Sequence, residues 1–130
     1  MTSQENAALV RQGYDAFNAG DIGTLTGILR EDVSFYQPGD AEPAGDYRGR
    51  DAVLGFFGKL AERSNGTFRA EIEQLWTSDR HAIVVHHATG TRDGAELGTR
   101  TAMTLELVDG KVASFVAVQS DQNAWDAFFS

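Results

Sequence analysis

The sequence predicts an α+β fold in which three N-terminal helices pack on a curved antiparallel sheet. Three observations lead there. Apolar residues recur at helical spacing through the first half of the chain. From Thr67 onward they alternate as strand residues do, and the short turns "RDG" and "VDG" cut that half into hairpins. Helices first and strands afterwards puts the helices over one sheet face.

Each element follows in order. In "NAALVRQGYDAFNAGD", Leu9, Val10, Gly13, Tyr14 and Phe17 share one helical face, and Asn18 to Gly20 end the helix. Asp21 is the N-cap of a second helix, "IGTLTGILRE", whose buried side carries Leu25, Ile28 and Leu29. "DVSFYQPG" is a short strand stopped by Pro38 and Gly39, and "DAEPAGDY" is a polar loop. "GRDAVLGFFGKLAER" gives the third helix, with Val53, Leu54, Phe56, Phe57 and Leu60 as its apolar stripe. "TFRAEIEQLWT" alternates until the order slips near Leu75 and Trp76, which marks a bulge or twist. "RHAIVVHHATGTR", "AELGTRTAMTLELV" and "KVASFVAVQS" complete the meander. "QNAWDAFFS" closes the chain as a helix or tail with an apolar anchor.

Bulk properties narrow the function. At 130 residues the chain is one domain, residues 1–130, too short for two cores. A net charge of −8 repels nucleic-acid phosphates, so no nucleic-acid partner is expected. The absence of cysteine excludes disulfides, thiolate metal sites and thiol nucleophiles. "MTSQENAALVRQ" has no basic segment leading into an apolar run, and no stretch reaches the roughly 18 apolar residues that span a bilayer. A cytoplasmic protein without a membrane partner is the expectation.

"YDAFNAGD", "ILREDVSFYQPG", "YRGRDAVLGFF", "TRDGAELGTRTAMTLELVDGKV" and "DQNAWDAFF" together resemble the nuclear transport factor 2-like superfamily, in its branch of SnoaL-like polyketide cyclases and ketosteroid-isomerase-related proteins. The resemblance covers nearly the whole chain. It implies a cone in which sheet and helices enclose an apolar pocket, and a homodimer through the outer sheet face. It does not carry over the isomerase machinery. Gln37 stands where those isomerases place their aspartate base, Met103 where they place a protonated acid, and Gly13 where they place a tyrosine, with Tyr14 one position away. An amide accepts no proton at neutral pH, so steroid isomerisation by that route is not expected.

His86 and His87 are adjacent on a strand and therefore face opposite sides. If Asp93-Gly94 is a two-residue turn, Arg92 pairs with Ala95, His86 lies opposite Thr101 and Val84 opposite Met103. A three-residue loop would turn His87 inward instead. The family count from this turn favours His86. The next hairpin, "LVDGKV", reads as a turn with a glycine bulge, which puts Phe115 across from Met103 with Ala117 and Gln119 on the same face. The expected ligand-binding wall is then Tyr14, Phe17, Phe35, Gln37 and Phe56 together with Trp76, Thr101, Met103, Phe115 and Gln119.

His86 is the candidate proton carrier, being the inward group that titrates near neutrality. Asp121 is the second catalytic candidate, because SnoaL-like cyclases use an aspartate on a late strand; capping of the last helix competes for it. No three histidines or carboxylates converge, so neither metal nor cofactor is expected. The functional expectation is a small apolar or amphipathic molecule in the pocket, and a cofactor-free isomerase, cyclase or hydratase. A ligand-binding protein without turnover, and a dimeric interaction module with a filled pocket, are the alternatives. Val85, His87, Ala102 and Thr104 mark the expected dimer face.

Overall fold

The computed structural model describes residues 1–130. Helix α1 (Ser3–Ala19) starts six residues before Leu9, the first residue of its apolar stripe, because Thr2 and Glu5 form a reciprocal capping box. Gly20, left-handed at φ 70°, ends it. Asp21 caps α2 (Ile22–Ile28) by accepting from the Thr24 amide at 3.1 Å. The second helix then stops sooner than its sequence suggests. Leu29 is already extended and begins β1 (Leu29–Gln37), in which Leu29, Val33, Phe35 and Gln37 are buried at odd positions. Strand β2 (Gly45–Arg48) occupies part of the expected polar loop and pairs Tyr47 with Phe35. Helix α3 (Arg50–Arg63) buries Val53, Phe56 and Leu60.

Four strands follow: β3 (Arg69–Thr77), β4 (His81–Arg92), β5 (Ala95–Val108) and β6 (Lys111–Gln119). Helix α4 (Gln122–Phe129) closes the chain, so the expected helix or tail is a helix, the fourth. The sheet order is β2-β1-β6-β5-β4-β3. All neighbours are antiparallel except β1 and β6, which run parallel, so the sheet is mixed. No helix is long and apolar enough to cross a membrane.

Two hairpins set which side chains look inward. Asp93 (φ 51°) and Gly94 (φ 84°) form a two-residue turn with both central residues left-handed, and Arg92 pairs with Ala95. That mirror-type turn matches the strands' own twist. Asp109 (φ 50°) and Gly110 (φ 75°) repeat it, pairing Val108 with Lys111. A turn with a glycine bulge was the sequence expectation there. The irregularity instead sits farther along, where Glu106 pairs with Ser114 and Leu107 with Val112. Phe115 consequently faces Leu105, and Met103 faces Ala117.

The interior lies between the inner sheet face and the helices. Phe35 and Phe115 stack at 4.2 Å between ring centroids, and Phe56 packs on Phe35 at 4.7 Å. Full burial of each such ring is worth about 1.5–3 kcal/mol over leaving it exposed. Polar ties hold the helices in place. Asn18 donates to the Ala70 carbonyl at 2.8 Å and accepts from its amide at 3.0 Å, completing the ladder of edge strand β3. Buried Asn6 donates to the Ser78 and Asp79 carbonyls. Asp126 on α4 accepts from the Asp40 amide at 3.2 Å, and Arg92 donates to the Phe128 carbonyl at 2.9 Å, so α4 is fastened at both ends.

Candidate ligand cavity

Helices α1–α4 and the inner sheet face line a cavity of about 110 Å³. Of the 24 residues that line it, 19 are hydrophobic; the others are Gly13, Gln37, His86, Thr101 and Gln119. None is Asp, Glu, Lys or Arg, so the cavity carries no formal charge at neutral pH. A charged ligand buried here would meet no counter-ion and lose its hydration.

The turn at Asp93-Gly94 delivers His86 into this space. His86 pairs with Ile72 on one side and Thr101 on the other, and Thr101 pairs with Gln119, so one row of inward positions crosses four strands. His86 is 6% exposed. His87 points to the outer face opposite Arg100. From α1, the Tyr14 hydroxyl reaches His86 Nδ1 at 2.7 Å, with the rings edge-on at 5.3 Å. With the hydroxyl as donor, Nδ1 is the acceptor and the imidazole proton sits on Nε2; the other tautomer reverses both roles. Burial raises the Tyr14 hydroxyl well above the ordinary tyrosine range, which keeps that proton on oxygen. Burial, and secondarily the charge of His87, pushes His86 down to about 4. At neutral pH the pair is therefore uncharged.

The other polar wall residues are arranged around unmatched donors. Thr101 Oγ1 donates to Gln119 Oε1 at 2.7 Å and leaves Gln119 Nε2 without a partner. Gln37 Nε2 and Trp125 Nε1 are likewise buried without acceptors.

Most of the expected wall lines this cavity: Tyr14, Phe17, Phe35, Gln37 and Phe56, with Thr101, Met103, Phe115 and Gln119. Trp76 does not. The bulge at Glu73, between the pairs Ile72–His86 and Gln74–Val85, returns Leu75 to the inner face and turns Trp76 outward, 54% exposed. Asp121 also stands outside. It is exposed and accepts from the Ala124 amide at 3.0 Å as the N-cap of α4. Trp125 is one of several wall residues, with Phe57, Phe68 and Leu105, that are not among the expected ones. Its spacing with Phe128 and Phe129 behind the Asp121 cap is the signal for a helix that buries one face. No group of three His, Asp or Glu side chains stands in a metal-holding arrangement.

The SnoaL-like domain model matches residues 10–115. An uncharacterised protein of Mycobacterium tuberculosis is 30% identical over 131 residues, covering 100% of both chains. Among solved structures, Bal32a from a soil-derived mobile gene cassette superposes with a TM-score of 0.95 at 36% identity, over 98% of each chain. A nuclear transport factor 2-like protein from Burkholderia xenovorans gives a TM-score of 0.85 at 22% identity, over 100% of this chain and 99% of that one. IdmH of Streptomyces antibioticus, a polyketide cyclase candidate, gives 0.76 at 20% identity, over 88% and 91%. The last two are likenesses of fold.

The buried imidazole makes stability depend on pH with a defined sign. An unfolded chain takes up the His86 proton near its ordinary value of 6.5, whereas the folded chain resists until about 4. Stability is therefore fully present above 6.5 and falls as pH drops toward 4, by on the order of 3 kcal/mol. Urea unfolding of the wild type and of His86→Gln across this window tests it. The variant should lack that part of the slope; parallel curves would show that His86 is not held neutral by burial.

Proposed function

The chain belongs to the SnoaL-like domain family, and on that premise we propose that its cavity holds a small, mostly apolar, uncharged molecule on which His86 acts by proton transfer, without cofactor or metal. One observation carries the reading: the Tyr14–His86 hydrogen bond of 2.7 Å stands in a cavity with no charged side chain. Tyr14 fixes the tautomer, so that an Nε2–H is available to a ligand oxygen. Isomerisation, ring closure and loss or gain of water at a carbon next to a carbonyl all place negative charge on oxygen in the transition state. A preset donor in a dry site lowers such a barrier more than the same donor would in water. His86 is then the proton carrier from its neutral form: its Nε2–H passes to the developing oxyanion and returns to the ring as that charge moves on, so no imidazolium forms. Gln37 orients the ligand.

A second reading is binding without turnover. The specific observation in its favour is that no carboxylate lines the cavity, with Gln37 where the related isomerases keep their base. The two readings part on substitution. Gln matches His in bulk and hydrogen bonding but carries no proton. Once a thermal-shift screen of uncharged metabolites supplies a ligand that turns over, His86→Gln should lower kcat by about a hundred- to ten-thousand-fold. His87→Gln should leave kcat unchanged. Turnover that survives His86→Gln contradicts proton transfer through this residue, and a ligand that binds but never reacts favours the second reading.

We further propose a homodimer through the outer sheet face. Residues paired across the strands form rows there: Trp76–Ile83–Thr104–Val116–Tyr36, and beside it Val85–Ala102–Val118. Val118 is 61% exposed and Ile83, Val116 and Tyr36 are also open to solvent. A continuous apolar strip of this kind is unusual on a sheet face that meets only water. Sedimentation at tens of micromolar, on the order expected for a modest dimer, should give a dimer for the wild type and a monomer for Val118→Asp. A monomeric wild type contradicts the assignment.

A further inference from the structure

Small-molecule sites usually measure about 300–1,000 Å³, and an apolar cavity of roughly 150 Å³ holds one benzene. At about 110 Å³, the cavity beside His86 is smaller than either. A second hollow of about 300 Å³ adjoins it, between the end of α1, the start of α2, α3 and the start of β3. The two hollows share four wall residues, Phe17, Leu25, Phe57 and Phe68. The partition between them is made of these residues.

Three of the four are rings, and they meet edge-on around Phe17, with Phe57 at 5.3 Å and Phe68 at 5.9 Å between centroids. Phe17 and Phe57 are only half-buried although both line the inner cavity, so solvent reaches the partition from its outer side. A half-buried ring moves aside by a rotamer change and breaks no hydrogen bond in doing so. Phe17 also follows Tyr14 by three residues on α1, which puts the partition about one helical turn from the Tyr14–His86 pair. The outer hollow is largely apolar. Seven of its twelve wall residues are hydrophobic, and both ends of the Asn18 amide are spent on the Ala70 backbone. Arg69, the one charged wall residue, is exposed and turns Nη1 onto the Gly66 and Phe68 carbonyls. Gly58 and Ala61, three apart on α3, leave the space open; a Cβ at Gly58 would touch nothing beyond its own helix within 4 Å.

We infer that the outer hollow is a second chamber of the ligand site. It takes the apolar tail of an uncharged molecule whose polar head sits with His86 and whose tail passes between Phe17, Phe57 and Phe68. The inference rests on the reading of the cavity as a small-molecule site, and it adds the length of the ligand to it. The two chambers together reach the usual size of such sites, which the inner one alone does not. A slim, unbranched chain suits a passage between rings. Phe17 is then the gate, and Gly58 and Ala61 set how long a tail the site accepts.

Straight-chain methyl ketones from 2-butanone to 2-nonanone are the probes, each with one oxygen for His86. NMR titration gives their affinities for the wild type and for Gly58→Trp, whose indole occupies the outer hollow. Trp is also a better helix former than Gly, so α3 is not put at risk. In the wild type, affinity should rise about fourfold for each added methylene along the series. In Gly58→Trp the shortest ketones should bind as they do in the wild type, and the rise should stop once the inner cavity is full. That leaves 2-nonanone weaker by about tenfold or more. A second readout needs no variant: the methyl groups of Ile22 and Ala61 should shift with 2-nonanone and stay in place with 2-butanone. Equal gains along the series in both proteins, a wild-type rise that stops at short ketones, or Ile22 and Ala61 methyls indifferent to 2-nonanone would each overturn the two-chamber inference while leaving the cavity a ligand site. If no ketone of any length binds, the inference and the ligand-site reading fall together.

Discussion

A two-residue turn governs this molecule. Asp93 and Gly94 both take left-handed backbone angles, and the ladder of twelve pairs between β4 and β5 is counted from them. Because strand side chains alternate, a slip of one residue at the turn would exchange the inner and outer positions of β4 relative to β5. With the three-residue loop, His86 would stand opposite Arg100 on the outer face, and His87 would enter the cavity opposite Thr99. The turn's backbone angles thus decide where an ionisable ring sits some six residues away.

Legibility in the sequence followed the same rule. Where alternation ran unbroken from a turn of known length, residues were placed on the correct face: His86, Thr101, Met103 and Gln119 all line the cavity. Where an extra residue entered a strand, the reading slipped. The bulge at Glu73 turned Trp76 outward, although "EQLWT" contains nothing that says which residue is the extra one. The second Asp-Gly turn misled in the opposite way, because its bulge was displaced toward Ser114 rather than built into the turn. Strand β2 was hidden for another reason. Four residues, Gly45 to Arg48, carry too short a pattern to register, and only its pairing with β1 makes them a strand. Asp121 could be a base or a cap from sequence alone, and the geometry makes it a cap.

The cavity's chemistry depends on what it leaves out. With no carboxylate, lysine or arginine on the wall, burial acts on His86 almost unopposed, and its charged form is disfavoured in an interior that offers no counter-ion. With its hydroxyl as donor, Tyr14 does what a carboxylate does for many histidines: it sets which ring nitrogen carries the proton. Unlike a carboxylate, it adds no negative charge, so the pair remains neutral and stabilises no imidazolium. This electrostatic balance suits a site that holds an uncharged molecule by directed hydrogen bonds. It also separates this chain from the acid-bearing isomerases that its scaffold resembles, since a shared fold does not fix the reaction carried out inside it.

The central claim is that His86 is a neutral, Tyr14-bonded donor inside the cavity, and nitrogen NMR of 15N-histidine-labelled protein tests it most directly. The account predicts one histidine whose Nδ1 is an unprotonated acceptor and whose Nε2 carries the proton, unchanged from neutrality down to about pH 5, with the Nδ1 signal shifting in Tyr14→Phe. A His86 ring that titrates near the ordinary histidine value, or that carries its proton on Nδ1, would contradict it.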